Sequence, residues 1–304
     1  MRIPFKKFAI ATSLVTGLSA TVLKTGMKQE IKVVDRLVNK SELVQKNVKN
    51  IWVIDNFQYP AVDVNGDLLA DVSHGFVTSS IIEKGLPFAN VFKKNIFQKA
   101  SHDSVAKRLD LVLDSALHKI KKGEKIDAIN LSMGYSVPYE SLSIEMGMKL
   151  TPENIKEHSK AVKSIMKKRR SFRIKTEPMK RLAKVLDKMD SLSAKGVKIY
   201  IASGNSYDLK FNLLTLADDV VSVGALTKRG KKACYSDRNS IINRWEKGVV
   251  SPKRAGNGFD ITGDGIADVK KNETTALFRI NWPWLGFDGT SFASPRAIVK
   301  DLSK

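Results

Sequence analysis

Three side chains far apart in the sequence could together activate a hydroxyl for attack on a carbonyl. Ser291 lies in Asp288-Gly289-Thr290-Ser291-Phe292-Ala293-Ser294-Pro295-Arg296, among small residues where a helix can begin. A hydroxyl at a helix N-terminus sits beside unpaired backbone N–H groups and the positive end of the dipole, which favour the oxyanion formed during acyl transfer. Because a serine hydroxyl is a weak nucleophile at neutral pH, the chemistry needs a histidine to take its proton and a carboxylate to orient that histidine. The chain has four histidines. His102, His118 and His158 fall in lysine-rich, helix-like surroundings and read as solvated surface residues. His74 is followed by Gly75 and then by small and apolar residues up to Ile82, so it reads as opening a buried helix at the edge of a cleft, either as a base or as a helix cap. Asp55 ends the run Ile51-Trp52-Val53-Ile54, which is too short for a helix and typical of a strand buried on both faces. Taken alone, Asp55 reads as a turn aspartate, since Asp55-Asn56 suits a turn. At the carboxyl end of a parallel strand it also stands where sites form.

The elements that must hold these residues alternate along the chain. Strand-like runs at 51–54, 89–92, 128–131, 197–202 and 220–225 are separated by helical ones. The clearest helix spans 105–121, where Val105, Leu109, Val112, Ala116 and Ile120 share a face. Such alternation predicts an α/β protein with a parallel sheet covered by helices on both sides, and a last helix over 290–302 carrying Ser291. A length of 304 residues with 42% hydrophobic residues is ordinary for one large α/β core and excludes a low-complexity or disordered chain. The lone Cys234 cannot form an internal disulfide and is expected to be a small buried residue.

In chain order, Asp55 after a buried strand, His74-Gly75 opening a helix, Ala202-Ser203-Gly204-Asn205 and Gly289-Thr290-Ser291-Phe292-Ala293-Ser294-Pro295 resemble the signature blocks of the subtilisin-like serine peptidases. The order Asp, His, Ser is the subtilisin order. The resemblance covers roughly residues 48 to 304 and implies a three-layer α/β fold, with a parallel sheet between helices. By it, Asp55, His74 and Ser291 form a triad and the Asn205 side-chain amide donates to the oxyanion. It further implies that Ser132, Met133 and Gly134 form one wall of the pocket for the residue before the scissile bond, and Ala202, Ser203 and Gly204 the other. Small residues on both walls are expected to leave that pocket open to a large apolar side chain; Ala128–Gly134 also reads simply as a core strand. The implied activity is that of a serine endopeptidase acting through an acyl-enzyme on a polypeptide, as a monomer, with no cofactor needed for the chemistry. The other reading is a catalytically silent subtilisin-like protein that uses a basic segment to hold an anionic partner.

Arg2, Lys6 and Lys7 precede the largely apolar run Phe8 to Leu23, so residues 1–22 are expected to be a signal peptide and the protein secreted or periplasmic. The alternative is an uncleaved tail on a cytoplasmic enzyme. Residues 23–47 are too short for the folding prodomain that secreted members of the family usually carry. The formal net charge is +21. Much of it lies in a helical insertion expected at about 136–194, with two helices around a hinge at Thr176-Glu177-Pro178. Between Lys160 and Lys188 there are twelve Lys or Arg against Glu177 and Asp187. Such a segment suits an anionic surface or an acidic partner, and its scarcity of aromatic residues argues against nucleic acid. Finally, Asp63, Asn65, Asp67 and Asp71 share the pattern D-x-x-G-D-x-x-A-D-V with Asp260, Asp264 and Asp268. Clustered oxygen ligands of this kind suit a structural calcium ion, although neither copy has the bidentate glutamate of an EF-hand; self-satisfied Asp/Gly turns are the other reading.

Overall fold

Ile51 and Val53 pack on one side of a sheet while Trp52 and Ile54 pack on the other, so the first strand is apolar on both faces. The protein is described by a computed structural model at residues 48–57, 73–97, 102–168, 176–251, 253–260, 265, 269–270 and 287–304. Within these, β1 (Asn50–Asp55) leads to α1 (His74–Gly85), β2 (Asn90–Asn95), α2 (His102–Lys121), β3 (Ala128–Leu131) and β4 (Ser136–Pro138). Next come α3 (Tyr139–Met146), α4 (Ile155–Lys168), α5 (Thr176–Ser193), β5 (Lys198–Ala202), β6 (Lys210–Asn212), β7 (Val221–Leu226) and β8 (Arg244–Lys247). Five short strands, β9 (Val249–Val250), β10 (Lys253–Ala255), β11 (Gly258–Asp260), β12 (Val269–Lys270) and β13 (Phe287–Asp288), precede the last helix, α6 (Thr290–Leu302).

Six strands form one sheet in the order β2-β1-β3-β5-β7-β8, and every neighbouring pair is parallel. Period-two alternation divides the core between its faces. Trp52, Ile54, Ile129, Leu131, Ile199 and Ile201 face α2 and α5. Ile51, Val53, Ala128, Tyr200, Val223 and Ala225 face the other layer, where α6 contributes Ala293, Ala297 and Ile298 and α1 contributes Ile82. The three-layer α/β arrangement is thus present as expected. Because β1 is followed by β2 on one side and its other neighbour is β3, the chain reverses its winding between β1 and β3. In open parallel sheets, the crevice at such a switch point is where ligands bind, outside the strand C-termini.

Three local expectations change. The sixth strand, β8, has no apolar run (Arg-Trp-Glu-Lys) and escapes a hydropathy reading; it is an edge strand whose Arg244, Trp245 and Glu246 are half-buried and whose Lys247 is exposed. Thr176-Glu177-Pro178 is not a hinge but the start of α5, because a proline in the first turn forfeits no intrahelical bond. Cys234 is exposed rather than buried.

The basic segment is built into the core. Val162 and Met166 of α4, and Leu182, Val185, Leu186, Met189 and Leu192 of α5, are all at most 1% exposed and join the cluster behind the sheet. Two of its lysines are tied to that packing. Lys163 Nζ lies 2.6 Å from Asp190 and 3.1 Å from Asp218, and Lys188 Nζ lies 2.6 Å from Asp110 on α2.

Candidate active site

Asp55 shares the face of β1 with Ile51 and Val53, so strand parity alone aims its carboxylate at the layer containing α1. The carboxylate is 2% exposed and its partners are fixed. Oδ1 accepts from Asn56 N at 2.7 Å and lies 2.7 Å from His74 Nδ1, while Oδ2 accepts from Thr78 Oγ1 at 2.9 Å. His74 is the first residue of α1, behind the N-cap Ser73, whose hydroxyl accepts from Phe76 N at 3.3 Å. Helical spacing then puts Thr78, four residues on, over His74 and against the same carboxylate. Gly75 N donates to Asn56 O at 2.7 Å, and a Cβ at Gly75 would meet that oxygen at 2.6 Å. The glycine therefore lets the start of α1 close onto the end of β1. Burial works against a charged imidazolium at His74, yet the Asp55 charge and its hydrogen bond together outweigh it and raise the pKa above the ordinary imidazole value.

Ser291 is the second residue of α6, which begins after Gly289. Its backbone N–H lies in the first turn, where no intrahelical acceptor exists. The backbone carbonyl of Ser291 would normally accept from the residue four positions on, but that residue is Pro295, which has no N–H. A relay of side chains compensates. Ser132 Oγ donates to Ser291 O at 2.7 Å, Asn130 Nδ2 donates to Ser132 Oγ at 2.8 Å, and Ser294 Oγ donates to Asn130 Oδ1 at 2.8 Å. The end of β3 is thereby fastened to the turn that carries Ser291.

Asn205 is exposed on the turn after β5. Its Oδ1 accepts from Thr290 N at 2.9 Å, which orients the amide so that Nδ2 is left to donate elsewhere. Nδ2 lies 3.4 Å, and Ser291 Oγ 2.9 Å, from the place a Cβ on Gly289 would take. A side chain at Gly289 would fill the very space that the hydroxyl and the amide border. The His74 ring lies 5.5 Å from that of Phe292, the neighbour of Ser291. Among the described residues the imidazole is hydrogen-bonded to Asp55 alone and Ser291 Oγ to none. In unliganded sites such bonds are often long and tighten only when substrate is bound.

The expected pocket walls are neighbours, since 132–134 leave β3 and 202–204 leave β5. Between them stands Asn212, fully buried. Its Nδ2 donates to Ala202 O at 2.8 Å and Met133 O at 3.4 Å, and its Oδ1 accepts from Tyr135 N at 3.0 Å and Leu214 N at 3.1 Å. A Cβ at Gly134 would come within 2.6 Å of that amide, and one at Gly204 within 2.1 Å of Asp237 Oδ2. The open pocket expected from these small residues is therefore not supplied by Gly134 and Gly204, whose missing side chains make room for Asn212 and Asp237. Ser132 spends its hydroxyl on Ser291 O, and Ser203 Oγ donates to Asp237 O at 3.4 Å.

Sequence reasoning brought Asp55, His74, Asn205 and Ser291 to this end of the sheet but missed Thr78, Asn130, Ser294, Asn212 and Asp237. None of these had a local signal; Pro295 within a helix leaves the Ser291 carbonyl in need of a donor, but the residue that supplies it is Ser132, already among the expected pocket residues. Of the residues expected to ligate calcium, Asp63, Asn65, Asp67, Asp71, Asp264 and Asp268 lie outside the described residues. Asp260 Oδ2 accepts from Gly265 N at 2.9 Å. Among the described residues no group of three or more His, Cys, Asp or Glu side chains is placed to hold a metal, and no helix is long and apolar enough to cross a membrane.

No family model matches the chain, and no curated protein does. Among solved structures it is similar to a lanthipeptide protease, at 15% identity over 84% of this chain and 73% of that one with a TM-score of 0.45. It is also similar to a cold-adapted subtilisin-like serine proteinase, at 15% identity over 84% and 74% with a TM-score of 0.45. A third is the PatG macrocyclase in complex with peptide, at 10% identity over 85% and 78% with a TM-score of 0.48.

Proposed function

We propose that the chain is a serine endopeptidase that hydrolyses peptide bonds through an acyl-enzyme. The observation that carries this reading is the buried Asp55 carboxylate, bonded to His74 Nδ1 at 2.7 Å and braced by Thr78 and Asn56, on the side of the sheet where α6 presents Ser291. A carboxylate on Nδ1 keeps that proton in place, leaves Nε2 as the base and stabilises the imidazolium once formed. In the proposed reaction Ser291 Oγ attacks the scissile carbonyl and His74 takes the hydroxyl proton. The carbonyl oxygen becomes an oxyanion facing Asn205 Nδ2 and the Ser291 N–H. Collapse breaks the C–N bond, and His74 returns the proton to the leaving amine. A water then repeats the sequence on the ester and releases the acid. The second reading, a silent binding protein, has no geometric feature in its favour that the enzyme lacks.

A fluorophosphonate probe tests the reading, because it phosphonylates only a serine that an assembled site activates. The expected result is stoichiometric modification mapped by peptide mass to Ser291. A protein that stays unlabelled while folded would overturn the peptidase assignment. Asn205 gives a graded check. Asn205→Ala is expected to lower kcat by about 10²–10³ with little change in KM, the usual cost of a single oxyanion donor, because its amide meets charge only in the transition state. An equal fall in probe labelling should accompany it. A polypeptide is the substrate this chemistry implies. Secretion or export to a periplasm is proposed from residues 1–22, which lie outside the described residues.

A further inference from the structure

The amide of Asn205 has one hydrogen bond of its own among the described residues, from Thr290 N, and it rides on an exposed turn. Something else must keep that turn in shape. The turn is strained at its non-glycine residues Tyr207 and Asp208, at φ 56° and 64° in the left-handed region that side chains disfavour, while Gly204 adopts φ +121° freely because it has no side chain. A buried carboxylate from a distant segment meets it on both sides of Asn205. Asp237 is fully buried. Its Oδ1 accepts from Ser206 N at 2.9 Å, Ser206 Oγ at 2.7 Å and Asp208 N at 3.1 Å. Its backbone N–H donates to Gly204 O at 3.0 Å, and its carbonyl takes the Ser203 hydroxyl. Residues 203, 204, 206 and 208 are thus all bound to one residue, and 205 is the position left free to face the site.

The other oxygen of Asp237 has no hydrogen-bond partner among the described residues and lies against Gly204. Burial lifts the carboxyl above its usual pKa range, an effect that the bonds from Ser206 and Asp208 only partly offset. A buried carboxylate with one unsatisfied oxygen is a poor choice for stability alone, where an apolar or amide side chain would cost less. It is a good choice for fixing three donors at once on a strained turn.

We propose that Asp237 is the positioning residue of the oxyanion donor, its carboxylate holding the Gly204–Asp208 turn so that Asn205 Nδ2 stays aimed at the space beside Ser291 Oγ. The inference rests on the peptidase reading and adds a residue that touches no substrate atom. Pre-organisation of this kind contributes only when charge develops on the oxyanion, so its loss is felt in the rate of the chemical step rather than in binding.

The test measures labelling rates of the full chain with the fluorophosphonate probe over a range of probe concentrations, separating the maximal rate from half-saturation. Asp237→Ala is expected to lower the maximal rate by about 10- to 100-fold, less than the ~10²–10³ for loss of the donor itself, with half-saturation little changed. Asp237→Asn keeps an oxygen acceptor for Ser206 and Asp208 and is expected to restore most of the rate. In the double variant Asp237→Ala/Asn205→Ala the rate should match Asn205→Ala to within about twofold, since a residue that acts through Asn205 has nothing left to act on. Ser206→Ala, which removes one of the three bonds, should slow the wild-type background and leave the Asn205→Ala background unchanged; it carries the test if Asp237→Ala does not fold. Multiplication of the single effects in either double variant would overturn the proposal, as would a full rate in Asp237→Ala. A wild-type chain that is folded and unlabelled at Ser291 instead defeats the peptidase reading, and this inference with it. A labelled wild type with independent variants defeats the inference alone.

Discussion

Ser291→Ala and His74→Ala are each expected to reduce turnover of an unfolded protein substrate such as casein by about 10⁶-fold, and the two together by no more than either alone. The reason lies in how the proton moves. Without His74 the hydroxyl must lose its proton to water while attacking, and without the hydroxyl the imidazole has no nucleophile to serve, so both deletions stop the same step. What remains is the contribution of Asn205 and the helix N-terminus, which still stabilise an oxyanion formed by water attack. The measurement is the initial rate of peptide release, with circular dichroism to show that each variant is folded. Independent, multiplicative losses would mean that the two residues do not act as a unit, and the acyl-enzyme would have to be abandoned.

Asp55→Asn should lower the rate by about 10⁴-fold, less than loss of the histidine, and should also move the pH profile. The carboxamide can present its NH₂ to His74 Nδ1, which favours the tautomer carrying its proton on Nε2, the wrong nitrogen for a base. The sign of the pH effect follows from the charge. In the wild type the Asp55 charge and hydrogen bond outweigh burial and raise the His74 pKa, so kcat/KM should climb to its plateau only as pH passes above the ordinary imidazole range. Removing the charge leaves burial, which disfavours the imidazolium, and the acid limb is expected to shift to lower pH while the plateau falls. A profile with a lower plateau and an unmoved acid limb would show that Asp55 does not face the titrating base.

Much of this site could be read before any coordinates, because its parts sit where regular elements begin and end. β1, β3 and α6 are legible from apolar runs and from small residues at a helix start, and strand parity already sends Asp55 toward the layer of Ile51 and Val53. What escaped was the wiring between elements. Thr78, Asn130, Ser294, Asn212 and Asp237 are single polar residues, each with at least one partner 23 to 164 positions away. Hydropathy has no period for such contacts. The glycines misled for a related reason. Gly134 and Gly204 are small so that a distant side chain can press against the backbone, and local sequence cannot distinguish that from empty space. β8 was missed because an edge strand that half-buries Arg244, Trp245 and Glu246 needs no apolar run.

The placement of α4 and α5 has a practical consequence for anyone wishing to probe the positive field of this protein. β3 and β5 are adjacent and parallel, and α5 belongs to the crossover that joins them, so excision of the lysine-rich stretch would remove scaffolding along with charge. Lys163 and Lys188 are likewise committed to Asp190 and Asp110 and should be spared. The cations free for such work are those pointing into solvent, Lys160 and Lys184 among them, which glutamine can replace while the helices beneath stay packed.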